Sequence, residues 1–241
     1  MMLRTTLRAV GDLAVTLGAL TLLFVVWQGW WTDVQANAQA EDLLVQVRGE
    51  LDDPPQALPD QRAARDRAPE RVVEPPASSI VHDQAIGVVH LPTIGEVRVV
   101  KEGTSPDVLN EGVLGHYPGT GAPGAVGNFA VAGHRTTYGR PLWHLEELKD
   151  GDPIVVETEG GYHVYRIEGL EVVEPTRWQV LAPVPGDPEA SASVASMVLT
   201  ACHPKFSAEE RLVAHAVLER SVPRDQGPPP EIRADNRTGR R

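Results

Sequence analysis

A thiol, an imidazole and a guanidinium can together run acyl transfer, and this chain sets one of each at the edge of a strand-like run. Cys202, the single cysteine among 241 residues, closes the apolar run Ser196-Met197-Val198-Leu199-Thr200-Ala201. A thiol attacks as its thiolate, so it needs a neighbouring base or positive charge, and the oxyanion it creates needs hydrogen-bond donors. His134 ends a second run, Asn128-Phe129-Ala130-Val131-Ala132-Gly133. Two strand ends at one rim would set imidazole beside thiol. Arg211 opens a third run, with Leu212, Ala214, Ala216 and Leu218 alternating behind it, and its guanidinium suits an oxyanion or a peptide backbone. His203 adjoins the cysteine, but successive side chains of extended backbone face opposite ways, which ranks it below His134. Each residue also has an ordinary use: a buried cysteine is commonly inert packing. Residue types and spacing therefore leave a thiol enzyme and a binding module with a buried Cys202 equally open.

The elements that must position these residues read as β-strands. Alternating or β-rich runs between turn residues occur at 85–91, 96–100, 128–133, 153–158, 162–173, 196–201 and 211–218. Ser105-Pro106-Asp107 starts a short helix, with a capping serine and proline at the first helical position, and 142–149 suggests a second. Residues 115–127, rich in glycine and proline, read as a functional loop leading into Asn128. The expectation is an all-β domain over residues 80–220. With 41% hydrophobic residues the chain can bury one core, and its net charge of −11 argues against a nucleic-acid surface.

The flanks differ from the domain. Leu13 to Trp31 is almost wholly apolar, with Arg4 and Arg8 before it and Asp33, Glu41 and Asp42 after it. That is a membrane span with its N-terminus cytoplasmic and Trp27, Trp30 and Trp31 at the outer interface. Ala36-Asn37-Ala38 offers a signal-peptidase site, but the tryptophans and the gap favour an uncleaved anchor over residues 1–33. Residues 35–48 read as a polar extension of that helix, and proline and charge dominate from Asp52 onward. Residues 34–79 are thus expected to form a stalk that lifts the domain off the membrane, and 221–241 a disordered tail.

Val198-Leu199-Thr200-Ala201-Cys202 resembles the Thr-Leu-x-Thr-Cys signature of sortases. Ala132-Gly133-His134-Arg135 resembles the segment carrying their catalytic histidine, and Arg211-Leu212-Val213 falls where their catalytic arginine would be. The likeness spans 85–218 and includes Trp143-His144-Leu145-Glu146-Glu147-Leu148 and Gly151-Asp152; Cys202 to Leu212 is most similar to class E sortases of high-G+C Gram-positive bacteria. The resemblance implies a closed eight-stranded β-barrel and a cysteine transpeptidase that uses no metal or cofactor. Its catalytic residues would be Cys202, His134 and Arg211, cleaving a Leu-Ala-x-Thr-Gly or Leu-Pro-x-Thr-Gly sorting signal between Thr and Gly through a thioester. The acceptor would be lipid II or another amine at the plasma membrane. Tyr117 matches a tyrosine that reads the sorting signal, and Thr200 and Ala201 would border the substrate. Val198 and Ala201 stand where the signature has threonine. An L,D-transpeptidase is the nearest enzymatic rival, weakened because Ala201 and His203 flank the cysteine instead of glycine and arginine. A small methylating thiol reagent separates enzyme from binding module: Cys202 should react in the folded protein, and labelling only after unfolding would favour the module.

Overall fold

The computed structural model describes residues 2–52 and 85–233. Its strands are β1 (Ala85–Leu91), β2 (Glu96–Glu102), β3 (Leu114–His116), β4 (Gly127–Ala132), β5 (Pro153–Thr158), β6 (Gly161–Val173), β7 (Ala195–His203) and β8 (Glu210–Pro223). They close into a barrel in the order β1-β2-β3-β4-β7-β8-β6-β5. The β2–β3 and β4–β7 pairs are parallel and the others antiparallel. Closure leaves no open sheet edge to pair with a stranger.

Strand alternation sorts the side chains into two layers. Phe129 and Val131 of β4, Met197, Leu199 and Ala201 of β7, and Leu212, Ala214 and Ala216 of β8 fill the interior. Ala130, Val198 and Val213 face outward, where Val173, Val180 and Leu181 cover them. Val180 and Leu181 belong to the 3-10 turn Trp178–Leu181 in the β6–β7 connection. The amide nitrogen of Asn128 ties that connection down by donating to the carbonyls of Val180 and Ala182 at 3.0 and 3.1 Å.

All seven β-rich runs are strands. The eighth, β3, lies at the start of the segment read as a loop, and it is three buried residues long. It packs so closely that a Cβ on Gly115 would come within 2.3 Å of the Gly103 carbonyl oxygen. Glycine is required there, and glycine is what hid the strand. The two expected helices are minimal: α2 spans Pro106–Leu109, and 142–149 holds only the 3-10 turn Leu145–Glu147.

Helix α1 runs from Met2 to Asp52 and is two helices in function. Its first half is long and apolar enough to cross a bilayer, and its apolar window is unburied. Its second half corrects the stalk expectation. Ala36, Ala40, Val47 and Leu51 are buried, a stripe of one helical face, and Val47 and Leu51 pack on Val88, Val99, Val108 and Val113 of the barrel. Residues 34–52 thus lie on the domain, while the Pro-rich remainder to residue 79 falls outside the described residues. Most polar residues of that half lie on its outer face, but Asn37 turns toward the barrel and accepts a hydrogen bond from Arg98.

The C-terminus departs from expectation too. β8 continues to Pro223, and α3 (Pro230–Arg233) buries Ile232 against Val155, Tyr162 and Val164. Glu231 pairs with Arg166 and Arg220, both at 2.7 Å. Of the expected tail, residues 221–233 are therefore packed. Truncating a buried aliphatic side chain costs on the order of 2 kcal/mol or more, so Ile232→Ala should lower the urea midpoint of the full chain; an unchanged midpoint would mean the tail does not dock.

Candidate active site

The parallel pairing of β4 with β7 sets Ala132 beside Thr200. The ladder continues one step, with the Gly133 amide donating to the Thr200 carbonyl at 3.1 Å. Cys202 follows two residues after Thr200 on β7, and His134 lies two residues past the end of β4. On the other side, β8 runs antiparallel and Arg211 is the register partner of Cys202. By backbone register, His134, Cys202 and Arg211 thus fall in a row across neighbouring strands. Cys202 is a free thiol of intermediate exposure. Among the described residues its sulfur has no hydrogen-bond partner.

His134 is held from behind. Its Nε2 donates to Oδ1 of Asn110, the residue capping α2, at 3.0 Å, which leaves Nδ1 as the nitrogen available for proton exchange. The Tyr138 ring stacks on the imidazole with centroids 5.1 Å apart. Burial holds this imidazole below the ordinary histidine pKa, because desolvation disfavours the charged ring. Arg211 Nη1 donates to the carbonyls of Ala208 and Glu210 at 3.0 and 2.9 Å. Among the described residues its Nη2 and Nε have no hydrogen-bond partner.

Arg135 is the residue that the sequence reading passed over. Its guanidinium is buried, 2% exposed, and salt-bridged at 2.6 Å to Glu146. It also donates to the Cys202 carbonyl at 3.3 Å and to His203 Nδ1 at 2.9 Å. A buried cation without such acceptors would be very costly. Arg135 therefore binds the end of the histidine strand to the end of the cysteine strand. Burial alone would raise the Glu146 carboxyl, but Lys205 and Arg135 outweigh it and hold the group below its usual range. Lys205 lies over the Trp143 ring at 4.3 Å and Phe206 meets that ring edge-on at 5.8 Å, which docks the β7–β8 connection on the Trp143–Glu146 turn. The signal for Arg135 was its place directly after a strand-end histidine, but its partners come from distant segments.

Tyr117 and Thr200 come together as a pair. The Tyr117 hydroxyl lies 3.0 Å from Thr200 Oγ1, which donates to the Val131 carbonyl at 3.4 Å. Thr120 Oγ1 donates to the Tyr117 carbonyl at 2.8 Å and meets His116 Nε2 at 2.8 Å, and His116 Nδ1 lies 2.6 Å from Glu102. A buried polar chain thus fixes the loop that carries Tyr117. The expectation for Ala201 is corrected: its methyl packs inside the barrel with Leu212 and Leu199, facing away from the thiol. Alternation between Thr200 and Cys202 allows nothing else. The missing threonine hydroxyl is therefore an interior change.

A sortase domain model matches residues 89–219. The chain belongs to the sortase family. Sortase SrtE1 of Streptomyces coelicolor is 35% identical over 92% of this chain; the match spans 60% of that relative, less than two thirds of its length. Sortase SrtE2 of the same organism is 30% identical, over 92% of this chain and 87% of the relative. Among solved structures, the SrtA sortase of Actinomyces oris superposes with a TM-score of 0.62 at 34% identity, covering 68% of this chain and 96% of that one. Sortase E1 of Streptomyces coelicolor, solved with a tripeptide in its active site, gives a TM-score of 0.59 at 34% identity, covering 62% and 96%. The eight-stranded barrel is thus the sortase fold, and its likeness to class E members agrees with the residues around Cys202. Sortases are a family of cysteine transpeptidases.

The state of His134 gives a pH prediction. Its NMR titration midpoint in the folded sortase should lie below about 6.5, the ordinary histidine value. The unfolded chain then binds this proton more tightly, so the residue destabilises the fold as pH drops from about 6.5 through the folded midpoint. His163, also lowered by burial, acts in the same direction. A midpoint at or above the ordinary value would contradict the burial.

Proposed function

We propose that the protein is a membrane-anchored transpeptidase that cleaves a Leu-Ala-x-Thr-Gly or Leu-Pro-x-Thr-Gly sorting signal between Thr and Gly. The observation carrying this reading is the row His134, Cys202, Arg211 across β4, β7 and β8 on one outer face. Neutral imidazole takes the thiol proton, and the thiolate attacks the Thr carbonyl. Arg211, through Nη2 or Nε, stabilises the oxyanion and positions the substrate backbone. Collapse breaks the C–N bond, the imidazolium gives its proton to the departing glycine amine, and a thioester remains. The acceptor amine then attacks the thioester carbonyl while His134 takes its proton, and loss of the thiolate joins the two chains.

A peptide would meet the outer face beside the thiol, where Tyr117 and Thr200 form a polar pair; Ala130, Val198 and Val213 lie further along that face under Val173, Val180 and Leu181. The tripeptide held in the related sortase E1 active site supports a peptide ligand here. Tyr117 reads the residue after leucine, and alanine there leaves room for its ring where proline adds bulk. The apolar half of α1, within residues 1–33, is the anchor, with the N-terminus cytoplasmic by the basic residues Arg4 and Arg8 before it and the acidic ones after it. The domain then works outside the plasma membrane, where lipid II or a protein lysine can offer the amine.

The full chain in detergent should cleave Leu-Ala-x-Thr-Gly peptides at Thr-Gly when given an amine, and Cys202→Ala should abolish both cleavage and the thioester seen by intact mass. Turnover by that variant would overturn the mechanism. His134→Ala and Arg211→Ala should each cost at least about 100-fold in kcat/KM. Tyr117→Phe should keep turnover while narrowing the preference for alanine over proline signals.

A further inference from the structure

Both contacts that hold His134 from behind rest on the membrane helix. Tyr138, which stacks on the imidazole, has φ +50, Gly139 has φ +78 and Arg140 has φ +51. Left-handed backbone at two non-glycine residues costs on the order of 1 kcal/mol each, so something must hold this loop. Asp33 of α1 does so: its Oδ1 accepts the Gly139 amide at 3.2 Å and its Oδ2 pairs with Arg140 Nε at 3.1 Å. Asn37, one turn further, accepts Arg98 Nη1 through its Oδ1 at 3.2 Å while Arg98 Nη2 donates to the Gly139 carbonyl at 3.2 Å. A Cβ on Gly139 would fall 2.7 Å from Asn37 Oδ1.

The second contact of His134 is reached from the same turn of helix. Asn110 leads into Gly112, where a Cβ would meet the Ala36 carbonyl oxygen at 2.9 Å and the Tyr138 carbonyl oxygen at 3.1 Å. Residues 33–37 therefore sit against the Asn110–Gly112 turn on one side and the Tyr138–Arg140 loop on the other. This face of α1 meets the loops with the polar side chains Asp33 and Asn37 beside the small Ala36, and packs its larger apolar side chains, Val47 and Leu51, further along.

We propose that Asp33 and Asn37 are positioning residues of the active site, through which the membrane helix holds the Tyr138 loop and Asn110 turn against His134. The proposal rests on the transpeptidase reading for its kinetic effect and on geometry alone for its structural effect. Asp33 follows Trp31 by two residues, about 3 Å of helical rise. The base of the barrel that carries His134 is thereby fixed beside the tryptophan belt.

The test uses the full chain in lipid nanodiscs with the same peptides and amine. Asp33→Ala should lower kcat roughly 10- to 100-fold, the cost of a misplaced catalytic group, with KM within about twofold. The Gly139 amide should exchange faster and the His134 imidazole signals should shift. Asp33→Asn keeps an acceptor for Gly139 and should recover part of kcat. Leu51→Ala, on the apolar contact of the same helix, should lower Tm with kcat unchanged. Arg140→Ala removes the ion pair from the exposed loop side, and its effect should be less than additive with Asp33→Ala. Wild-type kcat in Asp33→Ala, an equal kcat loss in Leu51→Ala, or unchanged Gly139 exchange would each overturn the proposal. If the wild-type chain itself turned over no peptide, the transpeptidase reading would fail, and Gly139 exchange with the His134 signals would still decide the clamp.

Discussion

The parallel pairing of β4 with β7 is the constraint on which the site depends. Parallel strands end at the same rim, so pairing Ala132 with Thr200 carries His134 and Cys202 out together. Antiparallel β8 then enters from that rim and sets Arg211 opposite Cys202. Strand side chains have a period of two, so a one-residue slip of β7 would turn Cys202 into the barrel and Ala201 out to the substrate face. The core prevents the slip: Phe129, Val131, Met197 and Leu199 are all buried to within 1%. Hydrophobic packing inside the barrel thus fixes the register of Cys202 and Arg211 outside it.

Around this register the protein has placed buried polar groups where loops must be held. Arg135 joins the ends of β4 and β7 through Cys202, His203 and Glu146. Glu102, His116 and Thr120 fix the Tyr117 loop, and Asn128 fixes the β6–β7 connection. Each of these residues makes hydrogen bonds where it is buried, which offsets the desolvation cost of a polar group, although Arg135 Nε and Asn128 Oδ1 have no partner among the described residues. The row of reactive side chains is therefore framed by segments that long-range polar contacts hold in place.

Much of this was legible in the chain. The strand runs showed through their alternation, and the places of His134, Cys202 and Arg211 at strand edges could be read with them. The failures have definite causes. β3 is three residues long with a glycine at its centre, too short for a period and disguised as a turn. The stripe Ala36, Ala40, Val47 and Leu51 was visible at helical spacing, but the charged residues between drew the reading toward a solvated stalk. Ile232 looked like an isolated apolar residue in a proline-rich tail, and only the patch of Val155, Tyr162 and Val164 gives it a place. Arg135 was unreadable because a buried arginine is recognised by its acceptors, which lie 11 residues away at Glu146 and 67 away at Cys202.

What the sequence by itself determined is local: which residues can react, which face of each strand they occupy, where the chain is apolar for long enough to cross a membrane, and the signature shared with sortases. Those properties follow from side-chain chemistry and backbone periodicity, which need only neighbouring residues. The tertiary structure decided which strands lie side by side, that Ala201 turns inward, and that α1 rests on the loops behind His134. Such choices depend on contacts between segments far apart in the chain, whose stability comes from burying surfaces that no single segment displays as a pair. The sequence named the candidate groups; the closed barrel set the strands that carry them side by side.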